Sequence, residues 1–235
     1  MRAEACDIME VKKYEILKQV QNDRQLIMKK LILIDDHKML RKGISFYITE
    51  NSDWTILAEA ESLDEVPGII KQIENNTEDK ILAVVDIQIK GNSDYTYNGF
   101  EAVKMLAAAG VPSVIFSSHD SGGFIERAMS TEVGAKGFVS KLSDEKMLLD
   151  AINSVAAGKP FVQPDLIGSL MEMNSIFSVL TKREVQVVKL IQDGLTNEEI
   201  AQKLQIKLTT LENYISVIYD KIGCRDRNSL LEKLT

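Results

Sequence analysis

Two adjacent carboxylates, Asp35 and Asp36, close the apolar run at 31–34. Like charges side by side where a buried strand ends are opposed by repulsion and by desolvation, so something positive is expected there to offset them. A third carboxylate, Asp86, closes a second apolar run, ILAVV at 81–85. In an open parallel sheet, sites form outside the C-terminal ends of the strands, and in the doubly wound order 2-1-3-4-5 the first and third strands are neighbours. The three carboxylates therefore converge. A donor set of carboxylates, counted without His or Cys, suits a hard divalent cation, and Mg2+ is the expected ion. Two later strand ends add the hydroxyl of Ser117 and the ammonium of Lys141. These supply the hydrogen-bond donors and countercharge that a phosphoryl group beside a metal-bound carboxylate requires.

The elements that must position these residues are legible from Met28 onward. LILID at 31–35 reads as a buried strand, followed by Leu40, Ile44, Tyr47 and Ile48 at helical spacing. Further strands are expected at 54–60, 81–87, 113–118 and 137–141. The stretch 81–87 is apolar almost throughout, as a central parallel strand covered on both faces should be. Helices are expected after a capping-box pattern at Ser62 and Glu65, over GFEAVKMLAAAG with Gly110 stopping it, and around Phe124 to Met129. A last one carries Leu148, Ala151, Ile152 and Val155 on its inner stripe. Five strands alternating with helices predict an α/β domain with a doubly wound five-stranded parallel sheet. Beyond Pro164 the strand pattern ceases. Residues 161–178 read as a linker with some helical character, and 179–235 as a small all-helical domain with capping boxes at Thr181–Glu184 and Thr196–Glu199.

The chain has 235 residues, 45% hydrophobic and 27% charged, with a net charge of −7. That balance argues against a protein that coats nucleic acid but leaves room for a local DNA-reading surface. No run approaches the length of a membrane span, and no secretory signal is visible, so a cytoplasmic protein without membrane contact is expected. Cys6 and Cys224 lie far apart and read as reduced thiols. His37 and Trp54 are assigned no chemical role, and His119 reads as a solvated loop histidine. Residues 1–27 belong to neither domain. They are expected to be an extension, either non-native or loosely held, with Met28 as a candidate initiator.

Residues 28–160 resemble the receiver domain of bacterial two-component response regulators. The matching residues are Asp35 and Asp36, the central Asp86, Ser117 after the fourth strand, and Lys141 in GAKGFVSK. The resemblance implies that Asp86 is the phosphoacceptor and that Asp36 and Asp86 bind Mg2+ through their side chains, with Asp35 close by. The main-chain carbonyl of Gln88 would complete the protein ligands. Ser117 and Lys141 would engage the phosphoryl oxygens, and Phe138 takes the place of the aromatic switch residue. One departure stands out: the family's Met-Pro-Gly-like turn is Ile89-Lys90-Gly91 here, continued by a longer loop over 91–98. Lys90 and Tyr95 or Tyr97 could border the site, and a surface insertion is the plain alternative.

Residues 180–234 resemble the LuxR-type helix-turn-helix, through Leu180-Thr181, Arg183-Glu184, Gly194 to Ala201, Thr210-Leu211, Lys221 to Gly223 and Arg227. The two domains together resemble the NarL/FixJ class. Leu211, Tyr214, Ile215, Ile218 and Ile222 form the inner face of the recognition helix. Asn213, Ser216 and Val217 face the major groove, Lys207, Thr209 and Thr210 meet phosphates, and Lys221 completes the DNA-contacting set. The family usually has basic residues where Glu212 and Ser216 stand, and a further capping box at Thr209–Glu212 is one reason for Glu212. Over 180–235 the net charge is only +1, so DNA binding is expected to depend on dimerisation.

The reading is a transcriptional response regulator whose partners are a sensor histidine kinase, promoter DNA and a second copy of itself. It is not an enzyme acting on an outside substrate; it catalyses only its own phosphorylation and dephosphorylation. Two rivals have distinct signatures. A protein-interaction regulator with weakened or lost DNA binding would use the same receiver. A metal-dependent phosphohydrolase with Asp86 as nucleophile would need a second carboxylate where Gln88 stands.

Overall fold

The computed structural model describes residues 27–73, 79–91 and 97–234. The N-terminal extension therefore lies outside the described residues except for Ile27, as do Cys6, Tyr95 and positions 92–96 of the insertion. In chain order the elements begin with β1 (Lys29–Ile34), α1 (Lys38–Asn51), β2 (Trp54–Ala60), a 3-10 turn (Leu63–Glu65) and α2 (Val66–Ile73). There follow β3 (Lys80–Val85), α3 (Asn98–Ala108), β4 (Ser113–Ser117), α4 (Gly122–Met129), β5 (Gly137–Ser140), α5 (Glu145–Ala156) and β6 (Phe161–Val162). A second 3-10 turn (Pro164–Leu166) leads into five helices: α6 (Ile167–Ser178), α7 (Lys182–Gln192), α8 (Asn197–Lys203), α9 (Leu208–Ile222) and α10 (Arg227–Lys233).

The sheet is parallel, in the order β2-β1-β3-β4-β5-β6. Successive side chains of β1 go to opposite faces. Leu31 and Leu33 join α1 and α5, while Ile32 and Ile34 join α2, α3 and α4. Both faces are thus covered, which is why the strands read as unbroken apolar runs. The sixth strand is a correction to the five expected. Gly137 and Phe138 pair with Phe161 and Val162, and a two-residue strand just after Pro160 is too short to show a period.

Most of the linker over 161–178, expected to have some helical character, is α6. Leu170 of α6, with Leu166 just before it, packs on the core beneath α2–α4, while Met173 and Phe177 are buried in the core of the helical domain. A helix that serves two cores spreads its apolar residues around its circumference, so no single stripe marks it in sequence. In the helical domain Thr181 and Thr196 form the expected capping boxes with Glu184 and Glu199. A third, Asp226 with Ser229, opens α10. The box expected at Thr209–Glu212 does not form. The helix starts earlier, at Leu208, so Glu212 is an exposed residue of its second turn. At the other expected box, Glu65 accepts from the Ser62 hydroxyl at 2.8 Å and the Glu61 N–H at 3.0 Å, outside the standard pattern.

Receiver and helical domain meet at α4. A Cβ on Gly122 would collide with the Ser169 carbonyl of α6, and one on Gly123 with Gln192 and the Leu234 carbonyl. The two glycines therefore permit a backbone approach that no other residue allows without displacement. Arg127 pairs with Asp193 across this contact, and Lys189 lies 3.6 Å from Glu126.

Candidate phosphoacceptor site and recognition helix

Asp35 and Asp36 follow β1, and Asp86 follows β3, its neighbour in the sheet, so the three carboxylates share one rim. Asp35 and Asp86 are buried, and Asp36 is partly exposed. The Asp86 N–H donates to the Ile34 carbonyl at 2.8 Å, which fixes the two strand ends together. On its other side, the Asp86 carbonyl sits where a Cβ on Gly99 would be, so the first turn of α3 rests directly on the Asp86 backbone. That close approach was not foreseen from the sequence, where Gly99 is one glycine among 13.

β4 pairs with both β3 and β5, and this carries Ser117 and Lys141 to the same rim. The Lys141 N–H donates to the Ser117 carbonyl at 2.9 Å. Its ammonium lies 2.6 Å from Asp86 Oδ2 and 2.7 Å from Asp35 Oδ2. Burial works against the charged lysine, but the hydrogen bonds it donates to Asp35 and Asp86 outweigh it and hold its pKa above the ordinary value. One ammonium thus offsets two of the three carboxylates. The remaining excess falls on Asp36, whose buried Oδ1 makes no aligned hydrogen bond and lies 2.8 Å from the His37 ring nitrogen. A divalent cation fits this charge and this orphaned oxygen.

The remaining candidates are placed as follows. The Gln88 N–H donates to Asp86 Oδ1 at 3.3 Å, and its side chain is exposed. Ser117 is fully buried, its hydroxyl accepting from the His119 N–H at 3.2 Å. Phe138 is fully buried in the core shared with Phe100 and Ile125. Lys90 stands away from the carboxylates, bridging to Ser62 with its ammonium 3.8 Å from Glu61. Two histidines have partners that the sequence does not indicate. The His37 ring joins the carboxylate cluster, with Asp35, Asp36 and Asp86 ligand atoms and its own all within 4.8 Å of one another. His119 is not simply solvated: its ring meets Tyr97 at 5.5 Å and Phe124 at 4.9 Å between centroids. Adjacency to a DD pair was the only sequence signal for His37, and nothing in the sequence placed His119 against aromatics 22 and five positions away.

Comparison with known proteins fits this rim. Residues 31–153 match the family described as response regulator receiver domain, and residues 178–233 match bacterial regulatory proteins, luxR family. The chain is a luxR-type response regulator. It is 28% identical over 197 residues to the transcriptional regulatory protein DesR of Bacillus subtilis, spanning 84% of this chain and 92% of DesR. It is 25% identical to the transcriptional regulatory protein DegU of Brevibacillus brevis, over 84% and 89% of the two chains. Among solved structures, a LuxR-family regulator from Aurantimonas shares 27% identity with a TM-score of 0.52, covering 62% of this chain and 97% of that one. RcsB of Salmonella enterica, bound to promoter P1flhDC, has the same fold at 18% identity, with a TM-score of 0.61 over 88% of this chain and 98% of RcsB.

The regulator's recognition helix, α9, buries Leu211, Ile215 and Ile218 and leaves Thr209, Thr210, Glu212, Asn213, Ser216, Val217 and Asp220 exposed, with Lys207 preceding it. No receiver element covers this face among the described residues. Lys221, expected among the DNA contacts, has its ammonium 3.0 and 2.7 Å from the two oxygens of buried Glu184. That bond ties α9 to α7. Among the described residues no helix is long and apolar enough to cross a membrane.

Proposed function

We propose that Asp86 accepts a phosphoryl group from a sensor histidine kinase and that this step controls DNA binding by the helical domain as a dimer in the cytoplasm. The observation that carries the reading is Lys141, whose ammonium joins Asp86 and Asp35 at the strand ends. An oxygen of Asp86 attacks phosphorus, an Asp86 O–P bond forms, and the donor's P–N bond breaks; the donor ring, protonated on its other nitrogen, keeps the P–N electron pair and leaves as neutral imidazole. Asp35, Asp36, Asp86 and the Gln88 carbonyl are the residues that would hold Mg2+. The ion, when bound, neutralises charge on the transferring phosphoryl oxygens. Lys141 then turns from the carboxylate to the new oxygens, and the buried Ser117 hydroxyl donates to another. Ser117 is bonded to the His119 N–H, and the His119 ring rests on Phe124 at the start of α4. A pull on Ser117 is therefore felt at the helix that contacts the DNA-binding domain. Phe138, buried beneath the same region, repacks with it.

The test is phosphorylation with an acyl phosphate and a phosphate-affinity gel. The wild-type chain shifts and Asp86→Asn does not; an undiminished shift in the variant overturns the assignment. The second reading, a regulator that binds protein through its helical domain, is favoured by Glu212 and Asp220 on the exposed face and by the engagement of Lys221. A gel shift on promoter DNA, with and without phosphorylation, decides between them.

A further inference from the structure

We infer that Arg41 is a positioning residue for the metal site: its guanidinium sets the orientation of the Asp35–Asp36 peptide and, through it, how the Asp36 carboxylate is presented to a dication. The inference rests on the reading of Asp35, Asp36 and Asp86 as the metal-binding carboxylates. The buried stripe of α1 consists of Arg41, Ile44 and Ile48. At position 41 such a stripe ordinarily carries an apolar residue. A guanidinium there gives up its hydration and persists only where its donors are bonded. Arg41 is 7% exposed and is bonded on two sides. Its Nη1 donates to the Asp35 carbonyl, and its Nε donates to Glu59 Oε2 in β2 at 3.2 Å.

The carbonyl that Arg41 holds lies beyond the sheet ladder. Ile34 is the last residue of β1 in register with β2 and β3, and its carbonyl accepts from the Asp86 N–H. The Asp35 N–H still reaches back to β2, donating to the Ala60 carbonyl at 3.1 Å. Its carbonyl comes one residue too late for the ladder, and the guanidinium stands in for the missing strand partner. Both polar groups of the Asp35 backbone are thereby fixed. The same carbonyl belongs to the peptide that carries Asp36, so a turn of that peptide swings Asp36 relative to Asp86. Arg41 also lines, with Asp35, Asp86 and Phe116, a hollow of about 10 Å3, the lower limit for one water. Charge and position act here in opposite directions. A cation beside the rim repels an incoming dication, so by Coulomb's law alone its removal tightens binding. A group that orients a metal ligand weakens binding when it is removed.

The experiment is calorimetric titration of the chelator-stripped full chain with MgCl2, for the wild type, Arg41→Met, Arg41→Lys, Glu59→Gln and Asp36→Asn. Arg41→Met is expected to bind Mg2+ about tenfold more weakly, although it removes a positive charge. Arg41→Lys keeps the charge but offers a point donor in place of a fork, and a loss of about threefold is expected. Glu59→Gln leaves the bond to the Asp35 carbonyl intact. Glu59 is more than a third exposed, so affinity should stay within about twofold of wild type. Unchanged or tighter binding in Arg41→Met overturns the inference, as does a loss in Glu59→Gln as large as that in Arg41→Met. Where Arg41→Met does not fold, Arg41→Lys decides: weaker binding supports the inference and wild-type affinity overturns it. Asp36→Asn separates this from the underlying site, since it should weaken Mg2+ whatever Arg41 does. If it leaves Mg2+ bound as before, or if the wild type binds none, the carboxylate site falls and the role of Arg41 falls with it.

Discussion

Lys141 Nζ lies 2.6 Å from Asp86 Oδ2. In the proposed function the resting Asp86 is therefore covered by its own countercharge, and the ammonium would have to move from a carboxylate oxygen to the phosphoryl oxygens. The same amine then serves two states, which makes it a reporter of the switch rather than a requirement for the chemistry. Lys141→Ala is expected to accept label from an acyl phosphate at a rate within about tenfold of wild type while losing the phosphorylation-dependent change in sedimentation. Normal dimerisation of the labelled variant would show that Lys141 plays no part in transmission.

The carboxylate rim carries more negative charge than Lys141 offsets, and Asp36 Oδ1 faces the exposed His37 ring at 2.8 Å rather than the ammonium. A site kept for function at a cost in stability improves when the surplus charge is removed. Asp36→Asn is expected to stabilise the metal-free receiver by about 1 kcal/mol, raising Tm by about 3 °C. The same variant should lose most of the stabilisation that added Mg2+ gives the wild type. Thermal unfolding with chelator and with excess MgCl2 checks both halves, and a lower Tm in chelator would contradict the charge argument.

The parts of this architecture that sequence could carry are those with a period or a partner close in the chain. Both faces of β1 and β3 are covered, so LILI and ILAVV announced a central sheet, and the strand order then gathered Asp35, Asp36, Asp86, Ser117 and Lys141. The misses lack such a signal. β6 is two residues long, α6 divides its apolar residues between two cores, and Gly99 matters only because α3 descends on the Asp86 carbonyl. Lys221 sits in the expected helix, yet its destination depends on Glu184, 37 positions earlier. His37 was set aside because a residue beside a DD pair can point anywhere until the helix that follows it fixes the backbone.

Glu184 does two jobs. Its carboxylate accepts from the Thr181 N–H at 2.7 Å, closing a capping box, and pairs with Lys221 of α9. The Lys221 hydrogen bond, with the cap bond second, holds its pKa below the ordinary glutamate value of 4.5. A carboxyl whose folded pKa is depressed contributes stability in full above its unfolded value and loses it as pH falls through the folded value. The helical domain should thus lose stability below about pH 4.5. Glu184→Gln should lower stability by about 1–3 kcal/mol at pH 7, with a smaller difference at pH 3. Denaturant titrations at the two pH values measure this, and a difference that does not shrink in acid would dissociate the cap from the ion pair.

Arg127 is the hinge of the contact between domains. Its guanidinium lies over the Phe100 ring at 4.4 Å and pairs with Asp193 of the helical domain. Phe100 in turn meets Tyr97, and Tyr97 meets His119, whose N–H is bonded to Ser117. A continuous set of contacts thus runs from the Ser117 hydroxyl to the DNA-binding domain, but contiguity alone does not establish coupling. Arg127→Ala should loosen the docked arrangement, increasing the radius of gyration in solution scattering and raising unphosphorylated DNA affinity several-fold. Gly123→Val, which drives a side chain into Gln192 and the Leu234 carbonyl, should do the same by wedging. A double-mutant cycle of Tyr97→Leu with Arg127→Ala then measures whether the aromatic contacts carry the signal. Coupling of about 1 kcal/mol between them in the phosphorylation-dependent gain in DNA binding is expected, and strictly additive effects would mean that the phosphoryl group reaches the interface by another route.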